Sequence, residues 1–453
     1  MGKRKLVSIL KRPIPATGLV DRQAASAITH VLHADATGTE GASIKSLTLG
    51  PAIQAKKATY AVTCETLRML PVIQQLVSTA ELMGLDPRLS RETAFVLCYE
   101  LLFGEGLRQK GPAERLVLSA RPALEQELAA MLAEAGVANA RELISESAQS
   151  AAAQRRPRSA RVNTLKMSVA EALTWLRTPK GKQHLKLAEL GAQVTQDELL
   201  PDVLLFPPAT DLHDHPLVKN SCLILQSKAS CMPAHALEPQ PGWDVLDACA
   251  APGNKTTHLA ALMEGKGRVL AFDKDPKRLK RLKANAAATG ADCITARVAD
   301  FLQLPLATSP EFRNVRGALV DPSCSGSGTT LSRMDFLLPS HAAQHSPRSE
   351  GDRIERLARF QEAVVLHALT LPALQRLVYS TCSVHERENE AVVAAVLPRA
   401  RELGFELAAP FPGWPRRGLA SSVEGAERLV RTHAVEDGTD GFFLAVFQRK
   451  AES

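Results

Sequence analysis

Two cysteines stand in small-residue turns that follow short apolar runs. Ala318–Gly328 reads Ala-Leu-Val-Asp-Pro-Ser-Cys-Ser-Gly-Ser-Gly, and Val378–Ser383 reads Val-Tyr-Ser-Thr-Cys-Ser. The first apolar run is too short for a helix and fits a buried strand. Pro322 stops it, because proline offers no backbone donor to a neighbouring strand. The Ser/Gly run then lets the backbone turn sharply and approach a ligand. Asp321, Cys324 and Cys382 are therefore predicted at the carboxyl ends of strands, where open α/β sheets place their ligands. Either cysteine alone reads as a structural thiol. Two of them, each in such a turn, point to chemistry.

A pyrimidine explains both thiols. C5 of cytosine is too weak a nucleophile to take a methyl group directly. A thiolate adding to C6 turns C5 into an enamine-like carbon that can attack a methyl donor. An acid must hold or protonate the ring near N3. Afterwards the C5 proton leaves and the enzyme thiol is expelled. The scheme needs a nucleophilic cysteine, an acid and a release group, and Cys382, Asp321 and Cys324 are of those types. The thiolate must also be accessible, with a pKa that favours it. The methyl donor would be held by other strand ends. Asp247-Ala-Cys-Ala-Ala-Pro-Gly-Asn-Lys-Thr is a small-residue loop between strand and helix. It is neither Gly-x-Gly-x-x-Gly nor a phosphate loop, and its single glycine suits a pyrophosphate poorly. Asp273 ends a second strand, where an acid commonly accepts bonds from a ribose. Asp300-Phe301 follows a third strand, where an adenine could lie. Read singly, these are ordinary strand-end acids. Together they suit an adenosyl cofactor without phosphates, and S-adenosyl-L-methionine is the obvious one.

The elements that must position these residues are legible as an alternation. Asp244–Asp247, Arg268–Asp273, Cys293–Val298, Gly317–Asp321 and Arg376–Ser380 read as strands. Ala229–Leu237, Lys255–Met263, Pro276–Ala288 and Arg353–Leu371 read as helices between them. This is the pattern of an α/β fold with a doubly wound, Rossmann-like sheet over 227–453. Phe442–Gln448 reads as an added edge strand, antiparallel to the rest. The polar stretch Pro339–Gly351 reads as a loop. Its His341 and His345, with His367 beyond, match no metal spacing. Residues 51–150 carry apolar residues at helical spacing (Tyr60, Cys64, Leu67, Leu70; Ala94, Leu97, Cys98, Leu101) and read as a helical bundle. Residues 151–226 read as a small α/β subdomain that opens on an arginine-rich stretch with one proline. Residues 1–50 have weak periodicity and read as a basic, flexible N-terminus.

With 453 residues, the chain suggests two or three domains. Hydrophobic residues make up 45% and charged residues 23%, a globular composition with ample core and no need of disulfides. The formal net charge of +7 favours, weakly, a polyanionic partner. Residues 1–60 hold nine Lys/Arg against three Asp/Glu. Lys3-Arg4-Lys5 and Lys11-Arg12 there could serve as an address or a phosphate-binding arm, or simply be solvated. The eight cysteines include no Cys-x-x-Cys pair, which speaks for reduced thiols rather than zinc or a disulfide scaffold. No run approaches transmembrane length, and the start lacks the apolar core of a signal peptide.

Asp247-Ala-Cys-Ala-Ala-Pro-Gly-Asn-Lys-Thr, Asp321-Pro-Ser-Cys-Ser-Gly-Ser-Gly and Tyr379-Ser-Thr-Cys-Ser, with Glu388-Asn-Glu behind it, together resemble the Nol/Nop/Sun family of RNA cytosine-5 methyltransferases over about 220–448. Arg161-Val-Asn-Thr-Leu-Lys and Ile224-Leu-Gln-Ser-Lys-Ala-Ser resemble that family's RNA-entrance region. Ser43-Ile-Lys-Ser-Leu, Tyr60-Ala-Val-Thr-Cys-Glu-Thr and Tyr99-Glu-Leu-Leu-Phe-Gly resemble its eukaryotic branch, which modifies large-subunit ribosomal RNA.

The resemblance implies Cys382 as nucleophile, Cys324 as the release cysteine and Asp321 as the acid beside the base. It implies that Cys249, Ala250, Ala251, Pro252, Gly253, Asn254 and Lys255 form the S-adenosyl-L-methionine loop. Asp273, Arg278, Asp300 and Asp321 complete that site, and no metal is implied. Residues 151–226 become an RNA-binding subdomain, with Arg155, Arg156, Arg158 and Arg161 holding the phosphate backbone. The sequence departs from the family's pattern at two positions. Asn254 replaces a second glycine, where it could cap a helix. Ser227 replaces an acid. The expected activity is formation of 5-methylcytosine in large-subunit ribosomal RNA through a covalent Cys–C6 adduct. The expected setting is a monomer in the nucleolus, or the cytoplasm in a bacterium, with RNA as partner and no membrane. The same chemistry on small-subunit or transfer RNA, a ribosome-assembly factor without turnover, and a nucleotide-dependent oxidoreductase with a cysteine pair stand as alternatives.

Overall fold

The structure is a computed structural model describing residues 13–37, 43–107, 110–144, 155–185, 193–342, 348–420 and 423–450. Lys3-Arg4-Lys5 and Lys11-Arg12 lie outside them. The chain divides into two compact units, Met1–Ser150 with Thr330–Ser349, and Ala151–Thr329 with Glu350–Ser453.

The first unit is helical. Its longer helices are Leu19–Thr37, Lys56–Arg68, Leu70–Thr79, Arg91–Leu102 and Arg121–Ala135. Ile28, Leu67, Ile73, Leu76, Leu97, Cys98 and Leu124 form one buried core. Ser90 caps one helix by accepting from the Thr93 N–H, which satisfies a donor the helix leaves free. The expected flexible N-terminus over 1–50 needs correction, because Leu19–Thr37 and Ile44–Leu49 are helices. The face that Leu19–Thr37 buries is Ala24, Ala25, Ala27, Ile28, Val31 and Ala34. Alanine has the highest helix propensity yet contributes little to an apolar stripe, which is why the period is faint in the sequence. Residues 330–349 also join this unit, and Met334, Leu337 and Leu338 pack in its core. Pro339–Gly351 is thus not simply a loop. Pro339–Ala342 is one helical turn, and the following helix runs from Arg348 to Ala368 rather than starting at Arg353.

The second unit holds two sheets. The smaller comprises β1 (Arg158–Val162), β2 (Thr195–Gln196), β3 (Val203–Phe206) and β4 (Leu223–Ile224), in the antiparallel order β2-β3-β1-β4. Val169–Arg177 is its principal helix, started by a Ser168/Glu171 capping box. The larger sheet is built from β5 (Asp244–Asp247), β6 (Arg268–Asp273), β7 (Ile294–Val298), β8 (Val315–Val320), β9 (Arg376–Thr381), β10 (Phe405–Ala408), β11 (Val430–Thr432) and β12 (Phe442–Arg449). Its order is β10-β12-β9-β8-β5-β6-β7, with β11 paired to β12. β5 to β9 are parallel, and the crossover helices cover them. The apolar runs of β5, β6, β8 and β9 are buried, as the inside of a parallel sheet requires, while β7 at the edge is largely exposed. This is the Rossmann-like doubly wound core.

β12 is antiparallel, but it is not the edge. It lies between β9 and β10, and Phe443, Ala445 and Phe447 are buried in the main core. The two sheets share a further core, in which Leu200 and Val203 pack with Cys231, Met232 and Leu237. The sequence break at 226/227 is therefore not a break between compact units. Among the described residues no helix is long and apolar enough to cross a membrane.

Candidate active site

The parallel register brings the two cysteine turns together. β8 and β9 are neighbours, and Val320 pairs with Tyr379 as the last step of their ladder. Both chains then leave the sheet on the same side, and three or four residues later Cys324 Sγ and Cys382 Sγ stand 3.1 Å apart. The turns are tied through their backbones. The Gly328 N–H donates to the Cys382 carbonyl at 2.9 Å, and the Gly441 N–H to the Gly328 carbonyl at 2.8 Å. A Cβ on Gly328 would lie 1.9 Å from the Gly441 carbonyl oxygen, so only glycine permits this approach.

Across the sheet, five neighbouring strands end in the residues singled out by the sequence: Asp300 after β7, Asp273 on β6, Asp247 on β5, Asp321 after β8 and Cys382 after β9. Asp321 accepts hydrogen bonds from Lys255 Nζ and Ser380 Oγ, both at 2.7 Å. Burial acts to lower the Lys255 pKa, but the charge and hydrogen bond of Asp321 outweigh it and hold the ammonium above its usual range. The hydrogen bond from Cys324 lowers the Cys382 pKa, with Lys255 assisting, while burial and Asp321 oppose the shift. Cys324 moves the other way, its pKa raised by the hydrogen bond with Cys382, by burial and by the charges of Glu388 and Asp321. The surroundings thus bias ionisation of the pair towards Cys382. Asp247 is fully buried, and that burial pushes its carboxyl up to about 7 against the hydrogen bond from Thr256.

Residues Cys249–Lys255 lead from β5 into the first turn of the helix Asn254–Leu262. Gly253 has φ +103°, and a Cβ there would meet Leu282 at 2.9 Å. Asp273 Oδ2 accepts from the Ala251 N–H at 3.2 Å, and Oδ1 from the Asp275 N–H at 2.9 Å. A carboxylate retains further lone pairs for a hydroxyl. Arg278 bonds the Ala251 carbonyl and lies 3.6 Å from Asp273. Asp300 is exposed and accepts from the Leu302 N–H in its own turn. This set of carboxylates and small residues fits a nucleoside carrying a positive charge.

Three expectations are corrected or completed. Asn254 is the first helical residue and not the cap. Gly253 occupies the cap position, with no side-chain bond. Ser227 does cap, accepting from the Ser230 N–H at 3.3 Å, so the local bonding survives the loss of an acid. Arg161 cannot hold a phosphate. It is fully buried, bonded to Gln226 at 3.2 Å and to Thr257 at 3.3 Å. Arg156 is paired with Asp440 at 2.8 Å, while Arg155 and Arg158 are exposed.

Sequence reasoning missed a group that the tertiary structure assembles. Asp202, just before β3, accepts from His235 Nε2 at 2.6 Å and His258 Nε2 at 2.7 Å. Burial acts to raise the Asp202 pKa, but its bonds to the two imidazoles hold it well below the carboxylate range. Burial, with the nearby charge of Arg161, pushes His258 down to about 3, so it is neutral and donates. These are metal-ligand types, yet both separations are hydrogen-bond lengths. The group ties the small sheet to the helices Lys228–Leu237 and Asn254–Leu262. Its members lie 33 and 56 residues apart along the chain, where no local motif would reveal them.

Comparison with known proteins covers most of the chain. Residues 234–448 match the family model described as 16S rRNA methyltransferase RsmB/F. Residues 57–144 match the N-terminal domain of NOL1/NOP2/Sun domain family member 5, and residues 156–226 its ferredoxin-like domain. The 25S rRNA (cytosine-C(5))-methyltransferase NSUN5 of Arabidopsis thaliana is 44% identical, across 94% of this chain and 72% of its own length. The 28S rRNA (cytosine-C(5))-methyltransferase of Mus musculus is 40% identical, across 90% of this chain and 87% of its own. A solved methyltransferase homolog protein from Pyrococcus horikoshii shares the fold, with a TM-score of 0.53 and 23% identity over 84% of this chain and 99% of that one.

Proposed function

The chain belongs to the NOL1/NOP2/Sun domain family, in the branch of its member 5, and on that premise we propose that it methylates C5 of a cytosine in large-subunit ribosomal RNA. It is an RNA cytosine-C5 methyltransferase. The observation that carries the reading is the thiol pair, 3.1 Å apart beside Asp321, with opposite tendencies to ionise.

Cys382, as thiolate, adds to C6 of the flipped cytosine, and the C5=C6 electron pair moves to C5. The Lys255–Asp321 pair, held in place by Ser380, supplies the proton that ring N3 takes up as that charge develops. When bound, S-adenosyl-L-methionine would supply C5 with an electrophilic methyl group, its S–CH3 bond breaking to leave the neutral thioether S-adenosylhomocysteine. Cys249–Lys255, Asp273, Arg278 and Asp300 would hold that cofactor, whose ribose hydroxyls and cationic groups suit carboxylates. Loss of the C5 proton to a base then reforms the double bond and expels the Cys382 thiolate. Cys324, in contact with that sulfur, promotes the release. The reading includes a nucleolar setting, which the eukaryotic ribosomal RNA methyltransferase relatives support, and a chain acting as a monomer.

The test is methyl transfer from labelled S-adenosyl-L-methionine to total RNA that lacks the host's own modification, with the labelled base and RNA identified. Label as 5-methylcytosine in the large ribosomal RNA is expected. The same base in small-subunit or transfer RNA would keep the mechanism and overturn the substrate. Cofactor binding without transfer to free RNA or to pre-ribosomes would favour an assembly factor.

A further inference from the structure

Glu388-Asn-Glu takes no part in the chemistry above, yet all three residues are fully buried. A buried carboxylate is costly unless its oxygens are bonded, and those of Glu388 are. Its Oε1 accepts from the Ser325 N–H at 2.9 Å and from Gln361 Nε2 at 3.0 Å. Its Oε2 accepts from Ser383 Oγ at 2.6 Å. Ser325 follows Cys324 and Ser383 follows Cys382, so one side chain grips both thiol turns. Gln361 also donates to the Ser323 carbonyl at 3.0 Å, on the other side of Cys324. Asn389 brackets the second cysteine. It accepts from Thr381 Oγ1 at 2.6 Å and donates to the Ser383 carbonyl at 3.0 Å. Tyr379, on β9, donates to the Glu388 carbonyl and fixes the clamp to the sheet.

We propose that Glu388 is a positioning residue: it fastens the two thiol turns face to face and so keeps Cys382, rather than Cys324, the reactive sulfur. A glutamine would fill the same space and could satisfy much of the bonding, so its charge needs a separate reason. That charge is one of the influences that keep Cys324 protonated, alongside Asp321 and the neighbouring sulfur itself. The acid serves as clamp and as electrostatic bias. The inference deepens the methyltransferase reading and rests on it for the roles of the two thiols.

The experiment uses the full chain: thiol labelling needs neither RNA nor cofactor, and turnover of Glu388→Asp is measured separately with both. Wild type, Glu388→Gln, Glu388→Asp and Glu388→Ala are alkylated with iodoacetamide, and labelling of Cys382 and Cys324 is quantified by peptide mass spectrometry, with thermal melts as folding controls. Wild type is expected to label chiefly at Cys382. Glu388→Gln should raise the Cys324 share by about threefold or more, through the lost charge. Glu388→Asp keeps the charge but not the reach. It should lower kcat by about tenfold or more, with KM for the cofactor within about twofold. A folded Glu388→Gln with the wild-type labelling ratio overturns the proposal, whether or not Glu388→Ala folds. So does a folded Glu388→Asp with full turnover. Failure of wild type to methylate RNA would strike the functional reading instead and leave the labelling test intact.

Discussion

Two thiols in contact share one proton more readily than they hold two charges, so their surroundings decide which sulfur is the nucleophile. Lys255 favours the charge on Cys382, Glu388 disfavours it on Cys324, and Asp321 disfavours it on either. Cys382→Ala is therefore expected to abolish methyl transfer to below about one part in a thousand. Cys324→Ala should instead leave a protein–RNA adduct, read as a shifted band on a denaturing gel. Swapped phenotypes would reverse the two roles. Asp247 gives a pH prediction. Its folded pKa, about 7, lies above the unfolded value. The native state then keeps a proton that the unfolded chain releases near pH 4, so this stabilisation is complete below about pH 4 and is lost as pH rises through about 7. Asp247→Asn can still accept from Thr256 and has no proton to lose. Its Tm should gain on wild type as pH rises from about 5 to 8, measured without cofactor. A pH-independent difference would show that Asp247 titrates normally.

At the scale of elements, the site depends on which strands are neighbours. β8 and β9 are separated in sequence by the segment that joins the helical unit and by the helix Arg348–Ala368, yet they pair directly. Had any strand stood between them, the two sulfurs would be about 10 Å apart. The close approach of Gly328 to Cys382 and Gly441 closes the gap beyond the strand ends. Gly328→Ala must displace that backbone and should cost roughly 2–4 kcal/mol in denaturant unfolding, with activity falling more steeply than stability. A neutral substitution would mean that the turns are looser than their hydrogen bonds imply. Chain order hid another feature. The small sheet is pinned by Asp202 to two histidines of the Rossmann-like core and shares apolar packing with it, so a break in composition at 226 became a continuous core.

At the scale of the whole molecule, a formal charge of +7 favours a polyanion, but charge alone does not say which arginines face it. Of the four in the stretch 155–161, Arg161 is buried and Arg156 is paired, leaving Arg155 and Arg158 exposed. Glutamine at those two positions should weaken RNA binding and reduce the slope of log K against log salt by about 0.7 for each phosphate left unneutralised on single-stranded RNA. Cofactor affinity should not change. If the slope were unaltered, the RNA would lie on another face.

The sequence by itself determined the chemistry on offer. Strand-end acids, two cysteines in small-residue turns and the alternation of strands with helices are local patterns, and local patterns survive in one dimension. β5, β6, β8 and β9 were legible within two residues of their ends because fully buried strands are short, apolar and bounded by turn residues. The helix Leu19–Thr37 was not legible, because alanine forms helices well while giving little apolar contrast. Tertiary structure alone decided that the two sulfurs touch and that Glu388 grips both turns. It also decided that Arg161 is an internal strut and that Asp202 meets two histidines. Each of these is a meeting of residues distant in the chain, set by strand order and by packing. A buried arginine or glutamate reads in sequence like a solvated one, because burial is a property of what folds over it.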